Sequence, residues 1–209
     1  GVLGRPALSG LWLLLMAGWT ARPTLRFRRP SGLVLLALLI VGVPGLIESL
    51  APPTNTDGLY YHLALPLKML RHSGLVGGVM DPSGHRPLVL HLPLAALFAF
   101  GGEAAPRLFH LGLGLGVIAF TAKIGESRLG RGAGAAAALL LAGSWTFVNG
   151  ASVVGSETLA ALTVLAALDA ALRGSGRGLA LAAGAAPSVK YTTAGPIVGV
   201  FLVAALPWH

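Results

Sequence analysis

The residues of this chain that could do chemistry are few, and that scarcity is informative. There are only seven Asp plus Glu among 209 residues. Asp57 and Glu157 stand out because each precedes an apolar run: Leu59 to Leu65 after the first, Thr158 to Leu172 after the second. Two carboxylates that meet can share work as a base and its electrostatic partner, or bind a divalent ion through oxygen ligands. Each would equally well sit at the start of a helix as a favourable charge. Two cations are also notable. Lys190 lies inside an otherwise apolar stretch, and Arg86 closes a polar one. Both suit a phosphate, Arg by a bidentate contact and Lys as a point charge; both could equally snorkel to lipid headgroups. The histidines (62, 72, 85, 91, 110 and 209) show no zinc spacing. His110 at the end of an apolar run is a candidate pigment ligand or a hydrogen-bonded interfacial histidine. No Cys is present, so disulfide, thiolate and Cys-type metal chemistry are excluded. No serine hydrolase or dinucleotide signature is present.

The elements that position these groups must be membrane helices. The chain is 55% hydrophobic and 11% charged, with a mean hydropathy of +0.77. A soluble domain is about 25% charged, and these residues cannot cover a water-facing sphere with polar groups. A soluble enzyme, a disordered tail and a collagen-like fibre are excluded. The net charge of +8 is carried in short basic runs between apolar stretches, the pattern of cytoplasmic loops. No aromatic residues interleave with a basic stripe, so nucleic acid is not expected as a partner. The abundance of Ala, Gly and Arg fits a GC-rich bacterial genome.

The expected fold class is all-α, a polytopic transmembrane helix bundle with juxtamembrane interfacial helices in the first outer loop. Residues 1–32 read as a partial N-terminal span (Ala7 to Trp19) and a cytoplasmic loop holding Arg22, Arg26, Arg28 and Arg29. The first residue is Gly1 and the last run stops abruptly at His209, which reads as a fragment of something longer. Leu33 to Leu50 then runs outward, with Pro44 a candidate kink. The segment 51–107 is an outer loop. In it Thr54 to Asp57 offer N-caps for a helix over Leu59 to His72, which Gly74 can stop. Leu88 to Phe100 is apolar but short. If it crossed, Lys123, Arg128 and Arg131 would fall outside; if it lies at the interface they fall inside. The positive-inside rule selects the interface. Leu108 to Ala122 then runs inward, Ala133 to Val148 outward, Thr158 to Leu172 inward, Leu179 to Val189 outward and Thr192 to Leu206 inward, about seven crossings in all. The spacings Gly112/Gly116 and Gly130/Gly134 permit close helix contacts.

The order of these features resembles the GT-C membrane glycosyltransferases, in particular the branch dependent on polyprenyl-phosphate sugars, which includes the protein O-mannosyltransferases and the aminoarabinose transferases of lipid A. Asp57-Gly58-Leu59-Tyr60-Tyr61-His62 resembles the start of the family's first outer loop. His85-Arg86-Pro87-Leu88 resembles its Lys-Pro-Pro-Leu segment, and Leu129-Gly130-Arg131 its first cytoplasmic turn. Ser156-Glu157 stands where the family has an acidic residue. Ser188-Val189-Lys190-Tyr191-Thr192 resembles its Thr-Lys-Tyr-Thr segment. The likeness covers about Leu33 to Leu206 and makes residues 33–209 a GT-C-like N-terminal core. Departures are Glu157 for the commoner Asp, Val189 for Thr, and Pro187 in the helix before Lys190.

The resemblance implies a sugar transferred from a polyprenyl-phosphate donor to a periplasmic acceptor at a bacterial inner membrane. It implies Asp57 as catalytic base, Glu157 as its acidic partner, Tyr61 and His62 as substrate contacts, and Arg86 with Lys190 as the phosphate clamp. No metal ligand set or certain cofactor is implied; a divalent cation between the two carboxylates remains open. The family carries further spans and usually a C-terminal outer domain after this point. The alternative expectation is therefore a catalytically inactive GT-C-derived accessory subunit, packed on membrane lipids and other membrane protein subunits, pigment proteins among them.

Overall fold

A computed structural model describes residues 30–74 and 89–205. All regular structure among them is helical: α1 (Gly32–Leu50), α2 (Ala64–His72), α3 (His91–Gly101), α4 (Ala104–Leu129), α5 (Arg131–Ala142), α6 (Trp145–Ser152), α7 (Glu157–Leu172), α8 (Gly176–Val189) and α9 (Ala194–Ala205). The N-terminal span and basic loop expected before residue 30, and the segment holding His85 and Arg86, lie outside the described residues.

Helix α1 shows how the sequence is adapted to lipid. Ser31 begins it, its hydroxyl accepting from the Val34 N–H at 3.4 Å. Pro44 does not end it; the helix continues to Leu50. Only one seam is buried: Val34, Ala37, Val41, Gly45 and Ser49, spaced three or four apart. The large side chains point away from the bundle, Leu39 60% and Ile47 66% exposed. Small residues inside and large apolar residues outside invert the soluble pattern and suit a helix whose outer solvent is hydrocarbon. Helix α1 and helix α4 are each long and apolar enough to cross a membrane. Helices α5 and α6 add a third candidate span if the pair is counted as one. At 16 and 14 residues, α7 and α8 are shorter than the roughly 20 a perpendicular crossing needs.

Helix α4, 26 residues and about 39 Å long, is the hub. It packs against α1, α3, α5, α6 and α7. Its contact with α1 and α5 forms the main core, from Val34, Ala37 and Val41 through Ile118 and Ala122 to Ala135 and Ala138. Glycines bring the backbones of α4 and α5 close together. A Cβ on Gly125 would sit 2.8 Å from Gly134 Cα, and one on Gly134 would sit 2.4 Å from the Ala122 carbonyl oxygen. The expected spacings are thus only partly used. Gly134 makes a close contact, but with Gly125 of the facing helix. Gly130, at φ +92°, makes the turn between the helices, and a Cβ at Gly112 would meet nothing within 4 Å.

One outward run was expected over Ala133 to Val148; it is two helices meeting at 73°. Gly143 follows α5, and the Ser144 hydroxyl caps the new helix by accepting from the Phe147 N–H at 3.4 Å. The cap signal of Ser144 outweighs the continuity of the apolar run. A second core joins α7, α8 and α9 through Ala167, Ala183, Ala186, Ile197 and Val200.

Two contacts fix how the ends of the bundle are arranged. Arg107, 5% exposed near the start of α4, donates to the carbonyls of Ala51 and Glu48 at the end of α1. The segment 51–107 therefore leaves and returns at the same end. At the other end, Arg128 donates to the Leu172 carbonyl, and Arg173 pairs with Asp169 at 2.5 Å. Helices α4 and α7 thus run in the same direction.

Candidate functional site

The site is built by two irregular pieces of backbone. The first follows α1. Asn55 Oδ1 accepts from the Gly58 N–H at 3.1 Å, so Asn55 supplies the cap and the Asp57 side chain makes no cap bond. Of the residues offering caps there, Asn55 takes the role, and the Asp57 carboxylate borders the cavity instead. The chain then opens into a π turn, Gly58–His62, closed by the Leu63 N–H on the Gly58 carbonyl at 2.8 Å. Such wide turns recur at functional sites because they redirect side chains that a regular helix would spread apart. Here Asp57, Tyr61 and His62 all reach one cavity. Helix α2 follows and stops as expected near Gly74: Ser73 takes the left-handed conformation at φ 50° and the Gly74 N–H closes on the Met69 carbonyl.

The second piece lies between α8 and α9. Pro187 sits in the last turn of α8. At Lys190 the backbone becomes extended, and a short 3-10 turn, Tyr191–Thr193, follows. Thr193 holds this break by donating its hydroxyl to the Lys190 carbonyl at 2.8 Å. The break aims the Lys190 ammonium across to the first turn of α7, where Nζ lies 2.5 Å from Glu157 Oε1. The two side chains remain 36% and 60% exposed, so the pair is reachable by a ligand. Glu157 stands outside the apolar run that begins at Thr158. Partial burial pushes its carboxyl up, but the Lys190 hydrogen bond, its own backbone N–H and the positive fields of Lys190 and His62 outweigh this. It is held below the ordinary carboxyl range and stays an anion.

These pieces enclose a cavity of about 260 Å³ bounded by Asp57, Tyr61, His62, Glu157, Lys190 and Tyr191. Five of the six site residues named from sequence share this one space, though Asp57 and Glu157 are a hundred positions apart. Arg86, the sixth, is outside the described residues. The Glu157–Lys190 pair also borders a second, larger groove of about 740 Å³. Its other walls are mostly apolar, including Val117, Leu140, Val164 and Pro196, with Thr121, Thr192 and Thr193 the polar exceptions. The ion pair therefore stands where a polar chamber meets an apolar trough. The chain matches no protein-family model, no curated protein and no solved structure.

A divalent cation between the carboxylates is not favoured by the donor set. Among the described residues no group of three His, Cys, Asp or Glu converges, and the Lys190 ammonium already neutralises Glu157. His110 is fully buried. Its Nε2 lies 2.9 Å from the Gly150 carbonyl, and its Nδ1 lies 3.3 Å from the Thr158 hydroxyl. It joins α4, α6 and α7 and has no open face for a pigment.

Sequence reasoning missed His91 and Arg107. His91, 1% exposed at the start of α3, meets His62, with Nε2 3.2 Å from the His62 Nδ1. Tyr61 leans over both rings, its centroid 4.4 Å from one and 4.7 Å from the other. The signal for His91 was a polar ring inside an apolar segment. Such a ring needs a partner, and no spacing names it.

Proposed function

We propose that this chain is the N-terminal core of a GT-C-type membrane glycosyltransferase, and that the chamber at Asp57, Glu157 and Lys190 is where a sugar leaves a polyprenyl phosphate. One observation carries this reading: the Glu157–Lys190 pair borders both the polar cavity and the apolar groove. That junction matches a ligand with a long apolar chain and an anionic sugar-bearing head. Lys190 has three donors and Glu157 uses one, so the ammonium is fixed in place with donors left for a phosphate.

In the proposed transfer the acceptor hydroxyl oxygen attacks the anomeric carbon. The bond from that carbon to the phosphate oxygen breaks, and the lipid phosphate leaves with the electron pair. Lys190, with Arg86, stabilises the charge on that phosphate, and Asp57 takes the hydroxyl proton. Glu157 acts by orienting Lys190; Tyr61 and His62 form the sugar-facing wall.

The orientation proposed is a multi-pass one in a bacterial inner membrane with the cavity on the periplasmic side. Arg128 and Arg173, grouped at the opposite end, then fall in the cytoplasm as the positive-inside rule requires. Helices α2 and α3 lie along the outer interface, and α7 to α9 complete the bundle as tilted or short crossings.

The test is lipid binding by the purified protein in nanodiscs, with undecaprenyl phosphate as the probe. A charged hydrogen bond is worth roughly 1.5–3 kcal/mol, so Lys190→Met should weaken binding by about one to two decades. Equal affinity of Lys190→Met and the parent protein would remove the phosphate assignment.

A further inference from the structure

An ion pair between partly exposed side chains holds its own geometry only weakly, because water competes for both charges. Lys190 and Glu157 are such a pair, yet they meet at 2.5 Å. Their placement must come from the backbone around them. On the Lys190 side it comes from the break that Thr193 holds. On the Glu157 side the backbone is the link between α6 and α7, residues 153–156. Gly155 in that link is buried and lies against the carboxyl group. A Cβ on Gly155 would overlap Glu157 Oε2, whereas the next nearest group, the Val153 carbonyl oxygen, would be in ordinary contact at 3.8 Å. The carboxylate is therefore folded back onto the chain at 155–157. One oxygen meets Lys190, the other lies over Gly155, and the Glu157 N–H bonds the same group.

We infer that Gly155 is a positioning residue: the space left by its missing side chain is the seat in which the Glu157 carboxylate is held against Lys190. The start of α7 cannot give way in its place. Thr158, 3% exposed, is tied to the fully buried His110 of α4, its hydroxyl 3.3 Å from Nδ1, and the other ring nitrogen of His110 lies 2.9 Å from the Gly150 carbonyl. This chain of contacts joins α4 to the end of α6 and to the first turn of α7, on either side of Gly155. Val154, the residue before it, is packed in a core with Leu63, Leu90 and Leu94. With 154 and 158 both held, a side chain at 155 displaces the freest atoms it meets. Those are the carboxylate oxygens, at the end of a flexible side chain.

The backbone at Gly155 is not left-handed; the described glycines with positive φ are 102, 130 and 174. Alanine therefore fits the chain there, and Gly155→Ala changes the seat without straining the link. The inference rests on the proposed function only in giving the ion pair a phosphate to hold. The placement of the pair needs no lipid, so its failure and that of the lipid-binding test are separate.

The experiment is limited acylation of the full chain in lipid-free detergent micelles with an N-hydroxysuccinimide ester of acetate, read site by site by mass spectrometry. The chain has three lysines, Lys68, Lys123 and Lys190, so the first two report any general loosening in the same sample. Acylation at Lys190 is slowed while Glu157 holds its ammonium. Gly155→Ala should speed it about two- to fivefold, the range a partly exposed pair commands, with Lys68 and Lys123 unchanged. Glu157→Gln should speed it at least as much, and Gly155→Ala added to Glu157→Gln should do nothing more, because Gly155 acts through that carboxylate. Gly150→Ala, whose Cβ meets nothing within 4 Å, should leave Lys190 as in the parent. Unchanged acylation of Lys190 in Gly155→Ala, an equal rise at all three lysines, or additive effects in the double variant would overturn the inference. If Gly155→Ala does not fold, NMR of the parent protein decides. The Glu157 amide proton should move with its own carboxyl group as that group titrates, and an amide proton that ignores the carboxyl would equally overturn the seat.

Discussion

Arg107 offers the sharpest test of how the site is framed. It donates to the carbonyls of Ala51 and Glu48, and the Ser49 hydroxyl donates back to its own carbonyl at 3.5 Å. The last carbonyls of a helix have no intrahelical partner and carry the negative end of its dipole. Arg107 satisfies two of them at the end of α1. Arg107→Met retains the stem but leaves both carbonyls short of a donor in a buried place. Each such loss costs roughly 1–3 kcal/mol, a gross loss of about 2–6 kcal/mol. Relief from burying a guanidinium, a penalty of several kcal/mol in general, returns part of this, and a net loss of about 2–3 kcal/mol is expected. For a chain of this size that lowers the thermal midpoint by about 4–12 °C, measured by intrinsic fluorescence in detergent. Arg107→Lys retains the charge but cannot fork to both carbonyls, so it should fall between the parent and Arg107→Met. The effect should also be local: a cysteine at Ala51 should become more reactive in Arg107→Met than in the parent. A thermal midpoint for Arg107→Met within about a degree of the parent would show that these two bonds do not hold the ends of the 51–107 segment together.

Three other outcomes are expected. Asp57→Asn keeps the side chain's shape, and the cap belongs to Asn55; stability should be unchanged, while glycosyl transfer by the native protein should fall at least about a hundredfold. Unchanged transfer would strip Asp57 of its role as base, and a protein with no transfer to lose would fit the accessory-subunit alternative. Single cysteines at Ser73 and Ser83 should react with an impermeant thiol reagent added from the periplasm, and those at Ser127 and Ser175 should not; labelling at Ser127 would reverse the proposed orientation. Gly134→Ala places a methyl 2.4 Å from the Ala122 carbonyl and should destabilise by a few kcal/mol, about what overpacking a core does, whereas Gly112→Ala meets nothing within 4 Å and should gain up to about 1 kcal/mol of helix propensity. Equal melting temperatures for the two variants would mean α4 and α5 do not touch through Gly134.

What could be read from the sequence, and what could not, divides by the range of the forces involved. The helices follow from apolar runs and caps, and these are local. Gly74, expected to stop the helix that runs to His72, lies just beyond the observed end. The expected grouping of the helix ends rests on charge: placing Arg128 with the cation-rich side requires that 51–107 return to its starting end, and the Arg107 contact with Ala51 is compatible with that expectation without placing either end in a membrane. Charge supports such an expectation because a buried cation in hydrocarbon is so unfavourable that few topologies tolerate it. The break at Ser144 went unread because the residues on both sides are apolar, and hydrophobicity alone carries no information about direction.

The site divides in the same way. Asp57, Glu157 and Lys190 stood out because an ionisable group in an apolar chain is rare enough to need a reason. Their assignments to a helix cap, a lipid headgroup or a shared cavity could not be separated on spacing, since each satisfies the same local rules. Two facts that exist only in three dimensions shift that balance. Asn55 takes the cap and leaves Asp57 facing the cavity. Lys190 meets a carboxylate 33 positions away. An ammonium held by a protein carboxylate at the mouth of an apolar groove is positioned by the protein itself. In the proposed reading, that preorganisation limits the entropy a phosphate would have to remove from the side chain. It also accounts for the pairing of Lys190 with Glu157 in a chain that has so few acids to spend.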